Sequence, residues 1–185
     1  LGEMRKHEEA MVLFEAMHTG HSVYATVHAN SASETIARLT NQPINVPPNL
    51  LKAVNINVVM FRDRRKGIRR IFQIAEFDAE DETARANVLY RWSAEKDKLV
   101  RHNESSKFFE EISRMTGMSN TELIKDLEHK KSILSWLIKN RIRSLKEIGK
   151  LMNLYYNNRD EISQIISENN VKKIKEISEH PTKEK

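Results

Sequence analysis

Cysteine is absent from this sequence of 185 residues, and it has only five glycines, four prolines and 6% aromatic residues. Without cysteine the chain can form neither a disulfide nor a cysteine-ligated zinc site. No apolar run approaches the roughly 18 residues that a membrane-spanning helix needs, and no signal peptide is visible. These absences fit a cytoplasmic protein.

Charge is abundant, because 31% of the residues are charged and 39% are hydrophobic. That balance is typical of a soluble globular protein. The formal net charge of +5 is small, and the basic residues are interleaved with acidic ones. The composition therefore does not indicate nucleic-acid binding, and we expect no direct nucleic-acid partner.

Residues 1–78 alternate between helix and strand signals, which predicts an α/β fold. The apolar spacing from His7 to Thr19 predicts a helix that ends at Gly20. The stretch from Ser22 to Ala29 is β-branched and mostly apolar, as in a buried strand of a parallel sheet. A second helix is predicted from Ser31 to Leu39, with Ser31 as its N-cap.

Two further strands are predicted, from Asn55 to Phe61 and from Ile68 to Phe77, joined by a charged turn. Residues 79–104 are interpreted as a small β-hairpin bridge. Residues 105–185 are interpreted as a helical C-terminal extension, in which we expect the last residues, His180 to Lys185, to be disordered.

Within the helical extension, Gly117 is predicted to end one helix and Ser119 to begin the next. Ser119 is followed three residues later by Glu122, which is the spacing of a capping box. One apolar stripe predicts a core-facing side of this helix: Leu123, Leu127, Ile133, Leu134 and Leu137.

The residues with the clearest chemistry lie near the start. Glu3 is a carboxylate at the expected end of a strand, where it can orient a water molecule or hold a magnesium ion. His21 and His28 bracket the next predicted strand. Because ligands of open α/β sheets sit at the carboxyl ends of strands, these side chains are candidates for one crevice.

At this point the sequence resembles a known family. Gly2-Glu3-Met4-Arg5 resembles the atypical Walker B motif of the type II/IV secretion ATPases. Thr19-Gly20-His21 together with Thr26-Val27-His28-Ala29 resembles their histidine box. Residues 33–40 and 43–47 are similar to the segment that follows in the archaeal branch, which assembles type IV pili or the archaellum. The resemblance extends more loosely over roughly residues 1–160.

The resemblance implies the C-terminal part of a RecA-like P-loop NTPase domain that uses ATP and Mg²⁺. Glu3 would polarise the attacking water or the magnesium shell through bound water, with no protein side chain ligating a metal directly. His21 and His28 would contact the γ-phosphate region and couple it to movement between domains. Five residues would lie at the nucleotide or at a subunit interface: Gly2, Arg5, Gly20, Thr26 and Arg38.

The sequence departs from the family in one respect. The family's glycine-rich loop, which ends in Gly-Lys-Ser/Thr and holds the β- and γ-phosphates, does not occur here. We therefore expect this chain to be the C-terminal piece of a longer ATPase and to bind nucleotide weakly or not at all alone. We also expect self-association or partial instability, because the predicted strand from Val23 to Val27 lacks parallel neighbours.

The longer protein would be a homo-hexamer, cytoplasmic and peripheral to the inner face of the cell membrane, that pushes on a polytopic membrane platform protein. One alternative is a conjugation or type IV secretion ATPase. Another is a non-enzymatic helical interaction module that carries a remnant ATPase motif. The helical C-terminal extension contains three large aromatic residues that are either core or a docking surface for a membrane partner: Trp136, Tyr155 and Tyr156.

Two local alternatives also remain open. His18, His21 and His28 could form a zinc site, although helix, glycine and strand separate them. The basic cluster from Arg62 to Arg70 is most simply a solvated hairpin turn, but it could bind phosphate or DNA, or serve a subunit interface.

Overall fold

The computed structural model describes residues 2–179, so the predicted disorder of residues 180–185 lies outside the described residues. The chain divides into two compact units with a boundary between Thr116 and Gly117. In the described range no helix has both the length and the apolar character that would let it cross a membrane.

The first helix, α1 (His7–His18), confirms the prediction and ends in a Schellman motif. The His21 N–H donates to the Ala16 carbonyl at 3.0 Å, and the Gly20 N–H donates to the Met17 carbonyl at 3.1 Å. Gly20 has a φ of 87°, in the left-handed region that this motif requires after a helix. Glycine is present there because a side chain would be strained.

The second helix, α2 (Ala32–Thr40), begins as predicted at Ser31, whose Oγ accepts the Glu34 N–H at 3.0 Å. A 3-10 helix, Pro48–Ala53, follows after a proline-containing loop.

Four strands follow: β1 (Asn57–Asp63), β2 (Ile68–Ala79), β3 (Ala84–Ser93) and β4 (Lys98–Arg101). They form one antiparallel sheet in the order β1-β2-β3-β4. Consecutive strands are joined by short turns, which allow antiparallel but not parallel pairing. The α/β class and the two strands predicted on either side of the charged turn are confirmed, and the hairpin predicted after residue 79 belongs to the same sheet as β1 and β2.

The segment from Ser22 to Ala29 is not a buried strand, so that prediction is wrong. Its one sheet-like contact is an isolated parallel bridge between Thr26 and Glu3. Tyr24 is 87% exposed. A cavity of about 690 Å³ lies between this segment, α2 and β1. A buried parallel strand needs hydrogen-bonded neighbours on both sides, and within residues 2–179 only the segment around Glu3 provides one.

The core of the first unit is formed by α1, α2, the 3-10 helix and one face of the sheet. Phe14, Leu39 and Phe77 are almost completely buried. Burying a side chain of this size contributes about 1.5–3 kcal/mol. The other buried apolar residues of this core are Met4, Ala10, Leu13, Ala32, Ile36, Ile44, Val46, Leu51, Val59 and Ala75.

A buried carboxylate joins the sheet to α3 (Phe108–Thr116). Glu76 of β2 has no exposed surface. It accepts the backbone N–H groups of Ser106 and Phe108, both at 3.0 Å, and the hydroxyl of Ser105 at 2.5 Å. Burial alone would raise the pKa of Glu76, but the hydrogen bonds from Ser105, Ser106 and Phe108 outweigh it and lower that pKa.

The second unit contains α4 (Asn120–Lys139), α5 (Leu145–Asn157), α6 (Arg159–Ser167) and α7 (Val171–Glu179). The predicted capping box at the start of α4 is confirmed, since Ser119 and Glu122 each bond the other's backbone N–H. The core consists of Ile133, Trp136, Leu137, Ile142, Leu151, Tyr155, Ile162, Ile165 and Ile174.

One part of the predicted α4 stripe is wrong. Leu127 and Leu134 are 40% and 48% exposed, and they share an outer face with the exposed Ile124 and Ile138. Residues 124, 127, 134 and 138 lie on one side of α4 by helical spacing, with Lys131 between them, so α4 carries a second, largely apolar face besides its buried one.

Asp126 of α4 is the centre of a polar cluster within this unit. Its carboxylate accepts from Lys130 at 2.7 Å, from the Tyr155 hydroxyl at 2.5 Å and from Arg159. Burial and the hydrogen bond to Asp126 together raise the pKa of Tyr155 to about 12. The cluster ties α4 to α5 and α6.

Candidate functional site

Backbone pairing holds the N-terminal segment against the segment that contains His28. The Met4 N–H donates to the Thr26 carbonyl at 3.0 Å, and the Thr26 N–H donates to the Gly2 carbonyl at 3.2 Å. The Thr26 hydroxyl donates to the same Gly2 carbonyl. The structure thus uses Gly2 and Thr26, both predicted site residues, to fix the position of Glu3 between them.

Glu3 lies between two nitrogen-bearing side chains. Its Oε2 accepts from Nε of Arg5 at 2.8 Å and from Nη2 of Arg5 at 2.6 Å. Its Oε1 lies 3.2 Å from Nε2 of His28. The Glu3 side chain is 21% exposed, whereas Arg5 and His28 are 71% and 81% exposed. The carboxylate is therefore the inner member of this group, and the two outer members face solvent.

The hydrogen bonds from Arg5 lower the pKa of the Glu3 carboxyl below its usual value, and the charges of His28 and Arg38 act in the same direction. In return, Glu3 raises the pKa of Arg5. Glu3 is consequently an anion at neutral pH. An ionised carboxylate can accept a hydrogen bond from water or contribute to the shell of a divalent cation.

The Glu3 group lines an open cavity of about 420 Å³, which we call the Glu3 cavity. Arg38 of α2 lies on its wall and forms an ion pair with Glu34 at 3.9 Å. The remaining wall is formed by Met4, Val27, Ala37, Asn41, Gln42, Pro43 and Ile44. Sequence reasoning noted the proline-containing segment but did not assign Asn41 or Gln42 to the site, because neither belongs to a motif.

The Glu3 cavity does not include His21. The ring Nδ1 of His21 lies 3.0 Å from Oγ1 of Thr19, at the C-terminal end of α1. Gly20 lies there too, and its conformation is explained by the end of the helix. Of the three predicted catalytic residues, the structure brings Glu3 and His28 together and places His21 elsewhere.

The histidines of this region do not form a metal-binding group. The ring Nδ1 of His18 lies 2.7 Å from the Phe14 carbonyl, and His28 is beside Glu3. Within the part of the chain that the structure describes, no three His, Asp or Glu side chains are placed to hold a metal ion.

Residues 1–63 match the family model described as type II/IV secretion system protein. An uncharacterised protein of Methanocaldococcus jannaschii is 40% identical over 129 residues, which make up 67% of this chain and 18% of that protein. A second uncharacterised protein of that organism is 33% identical over 146 residues, 76% of this chain and 53% of that protein.

The type IV pilus assembly ATPase PilB of Pseudomonas aeruginosa is 46% identical over 57 residues, which cover 30% of this chain and 10% of that protein. This chain therefore spans about half, or much less than half, of the length of the relatives that it matches.

Proposed function

Because this chain belongs to the type II/IV secretion system protein family through residues 1–63, we propose that it is part of an ATP-hydrolysing motor. The motor assembles type IV pilus or archaellum filaments and works as a homo-hexamer at the inner face of the cell membrane. In this proposal residues 1–78 are the C-terminal part of its RecA-like domain, residues 79–104 are a hairpin bridge whose strands extend the sheet of β1 and β2, and residues 105–185 are a helical extension.

The observation that carries this proposal is the Glu3 group. An anionic carboxylate, a guanidinium and an imidazole meet beside one cavity, and Arg38 lies on its wall. Phosphoryl transfer to water depends on positioning and on stabilising charge, and these are the groups that provide both. Glu3 orients the attacking water or a water of the Mg²⁺ shell, and His28 lies next to it.

The backbone around Glu3 also supports a RecA-like fold. Residues 2–4 pair in parallel with the segment around Thr26, and α1 connects the two. This is the outline of a βαβ unit, whose carboxyl-end crevice is where α/β proteins bind ligands.

In this proposal the predicted site residues have different tasks. Glu3 acts on water, Arg5 and Arg38 stabilise phosphate charge, and Gly2 and Thr26 hold Glu3 in place. His21 lies outside the Glu3 cavity, so its task is the coupling of hydrolysis to movement between domains or subunits, with Gly20 as the turn that presents it.

The test is ATP hydrolysis by the longer protein that contains this chain. We expect Glu3→Gln to lower turnover by about 100-fold or more while ATP·Mg²⁺ still binds, because a positioned acid–base group typically contributes at least that factor. Glu15→Gln is the matched control, since Glu15 is an exposed glutamate of α1. Hexamer formation is followed by sedimentation velocity. Unchanged turnover in Glu3→Gln contradicts the proposal.

The membrane platform protein is the proposed partner of the helical extension. The exposed apolar face of α4 supports such a contact, because Ile124, Leu127, Leu134 and Ile138 are all at least 40% exposed. If the longer protein binds no nucleotide but this face still binds a partner, the chain is a non-enzymatic interaction module.

A further inference from the structure

The turn between β1 and β2 carries six basic residues and one acidic residue between positions 62 and 70. We call residues 62–70 the basic tip. Asp63, its acidic residue, is occupied by the backbone of the turn: Oδ1 accepts the Arg65 N–H at 2.8 Å and the Lys66 N–H at 3.1 Å. The turn is therefore fixed in shape, and the side chains of Arg64, Arg65 and Lys66 are exposed.

The turn between β3 and β4 is bonded to this tip. Asp97, between β3 and β4, accepts from Nε and Nη2 of Arg70, both at 2.6 Å, and from the Trp92 indole N–H at 2.9 Å. Arg70 is the first cause of the low pKa of Asp97, about 2, so this ion pair persists at neutral pH. The exposed Lys96 of this turn and the exposed Lys98 at the start of β4 thus lie at the same end of the sheet.

Five other cations of the basic tip form no ion pair with the side chains that the structure describes. None of those carboxylates lies within ion-pair distance of Arg62, Arg64, Arg65, Lys66 or Arg69. Arg62 lies directly opposite Arg69 across the β1–β2 ladder. Like charges in that position destabilise a sheet, so the fold itself gains nothing from this arrangement. An external polyanion would remove the repulsion.

We propose that the basic tip is the surface by which this protein lies on an anionic phospholipid membrane. Cations and exposed apolar side chains are mixed there, as interfacial binding requires. Met60, 63% exposed, shares a face of β1 with Arg62, and Leu99 and Val100 are exposed beside Lys98. The inference rests on the proposed location at the membrane and is independent of the Glu3 site.

Single-stranded nucleic acid is a less favoured polyanion because the aromatic rings near the tip pack against each other. Phe61 stacks on Trp92 with ring centroids 5.4 Å apart and contacts Phe72 at 6.1 Å. The Trp92 indole N–H is bonded to Asp97. Single-stranded nucleic acids are held by aromatic rings that are free to stack on bases, and these rings are not free.

The test is sedimentation of the full chain with vesicles of phosphatidylcholine alone and of phosphatidylcholine mixed with phosphatidylglycerol. We expect the chain to bind the mixed vesicles, with a partition coefficient that falls as salt is added. Arg64→Gln combined with Arg65→Gln should lower this partition coefficient about 30-fold, and Met60→Ser should lower it further. Lys139→Gln combined with Lys146→Gln removes the same charge from exposed residues of the second unit and should change it little.

Three outcomes overturn the proposal. The first is absence of partition to the mixed vesicles, and the second is an equal loss in the control variant. The third is tighter binding to a DNA duplex than to the vesicles at equal phosphate concentration, lost in the Arg64→Gln/Arg65→Gln variant. None of them affects the ATPase proposal, because these residues lie outside the Glu3 cavity. Circular dichroism and thermal melting confirm that each variant is folded.

Discussion

Replacement of Glu76 by glutamine should loosen α3 from the sheet. Glu76 is fully buried, and its two oxygens are surrounded by donors from residues 105–108. Glutamine has nearly the same shape but replaces one oxygen with an NH₂ group. That group faces N–H and O–H donors, so two of the present hydrogen bonds are lost and their donors stay buried.

The expected size of the effect follows from these bonds. A hydrogen bond to a charged group contributes about 1.5–3 kcal/mol, and a buried donor left without an acceptor costs about 1–3 kcal/mol. When the start of α3 frays, water can bond the unpaired donors, and this limits the loss of stability. We expect Glu76→Gln to lower the free energy of opening of α3 by about 2–3 kcal/mol.

The effect should depend on pH. The folded-state pKa of Glu76 is lowered, so the stabilisation is fully present above the unfolded pKa of about 4.3 and is lost as the pH falls through the folded pKa. The difference between the wild type and Glu76→Gln should therefore shrink as the solution is acidified below the unfolded pKa.

Hydrogen exchange of the amides of residues 106–116, followed by mass spectrometry, measures this opening directly. Glu82→Gln is the matched control, because Glu82 is exposed in the turn after β2. Equal protection of α3 in the wild type and in Glu76→Gln, or a difference that does not change with pH, would refute the reasoning.

Four further changes test individual features of the fold. Gly20→Ala should destabilise the first unit by about 1–2 kcal/mol, seen in urea unfolding, because Gly20 has a positive φ. Asp126→Asn should destabilise the second unit by about 1–3 kcal/mol by weakening the bonds from Tyr155 and two cations, and an unchanged unfolding midpoint would contradict this. Ser119→Ala should cost about 1 kcal/mol of α4 stability, measured by circular dichroism during unfolding. Sedimentation velocity should show concentration-dependent association that Tyr24→Lys reduces, because Tyr24 belongs to an exposed segment with one bridge.

Local signals in the sequence were enough to predict elements whose ends are chemically marked. Gly20 ends α1 and Ser119 begins α4 through contacts within a few residues, so both could be predicted. Charged turns likewise marked the hairpins of the sheet. These features depend on backbone groups that lie next to each other in the chain.

Features that depend on distant partners were missed. The stretch from Ser22 to Ala29 has the composition of a buried strand, but composition does not say whether neighbouring strands are present. Leu127 has the right spacing for a core residue, but α4 has two apolar faces and only one is buried. Glu76 looks like an exposed residue in a strand, since its donors lie about 30 residues later.

The pairing of Thr26 with the Glu3 segment closes a loop that contains all of α1. Two backbone hydrogen bonds join the ends of this loop, from the Met4 N–H to the Thr26 carbonyl and from the Thr26 N–H to the Gly2 carbonyl. Glu3 lies at one end of the loop, and His28 lies just beyond the other end. If these hydrogen bonds break, the side chains of Glu3 and His28 separate and both ends of α1 are released together. A ligand bound to both Glu3 and His28 would stabilise the closed loop. Its binding should therefore slow hydrogen exchange throughout α1, although the ligand does not contact that helix.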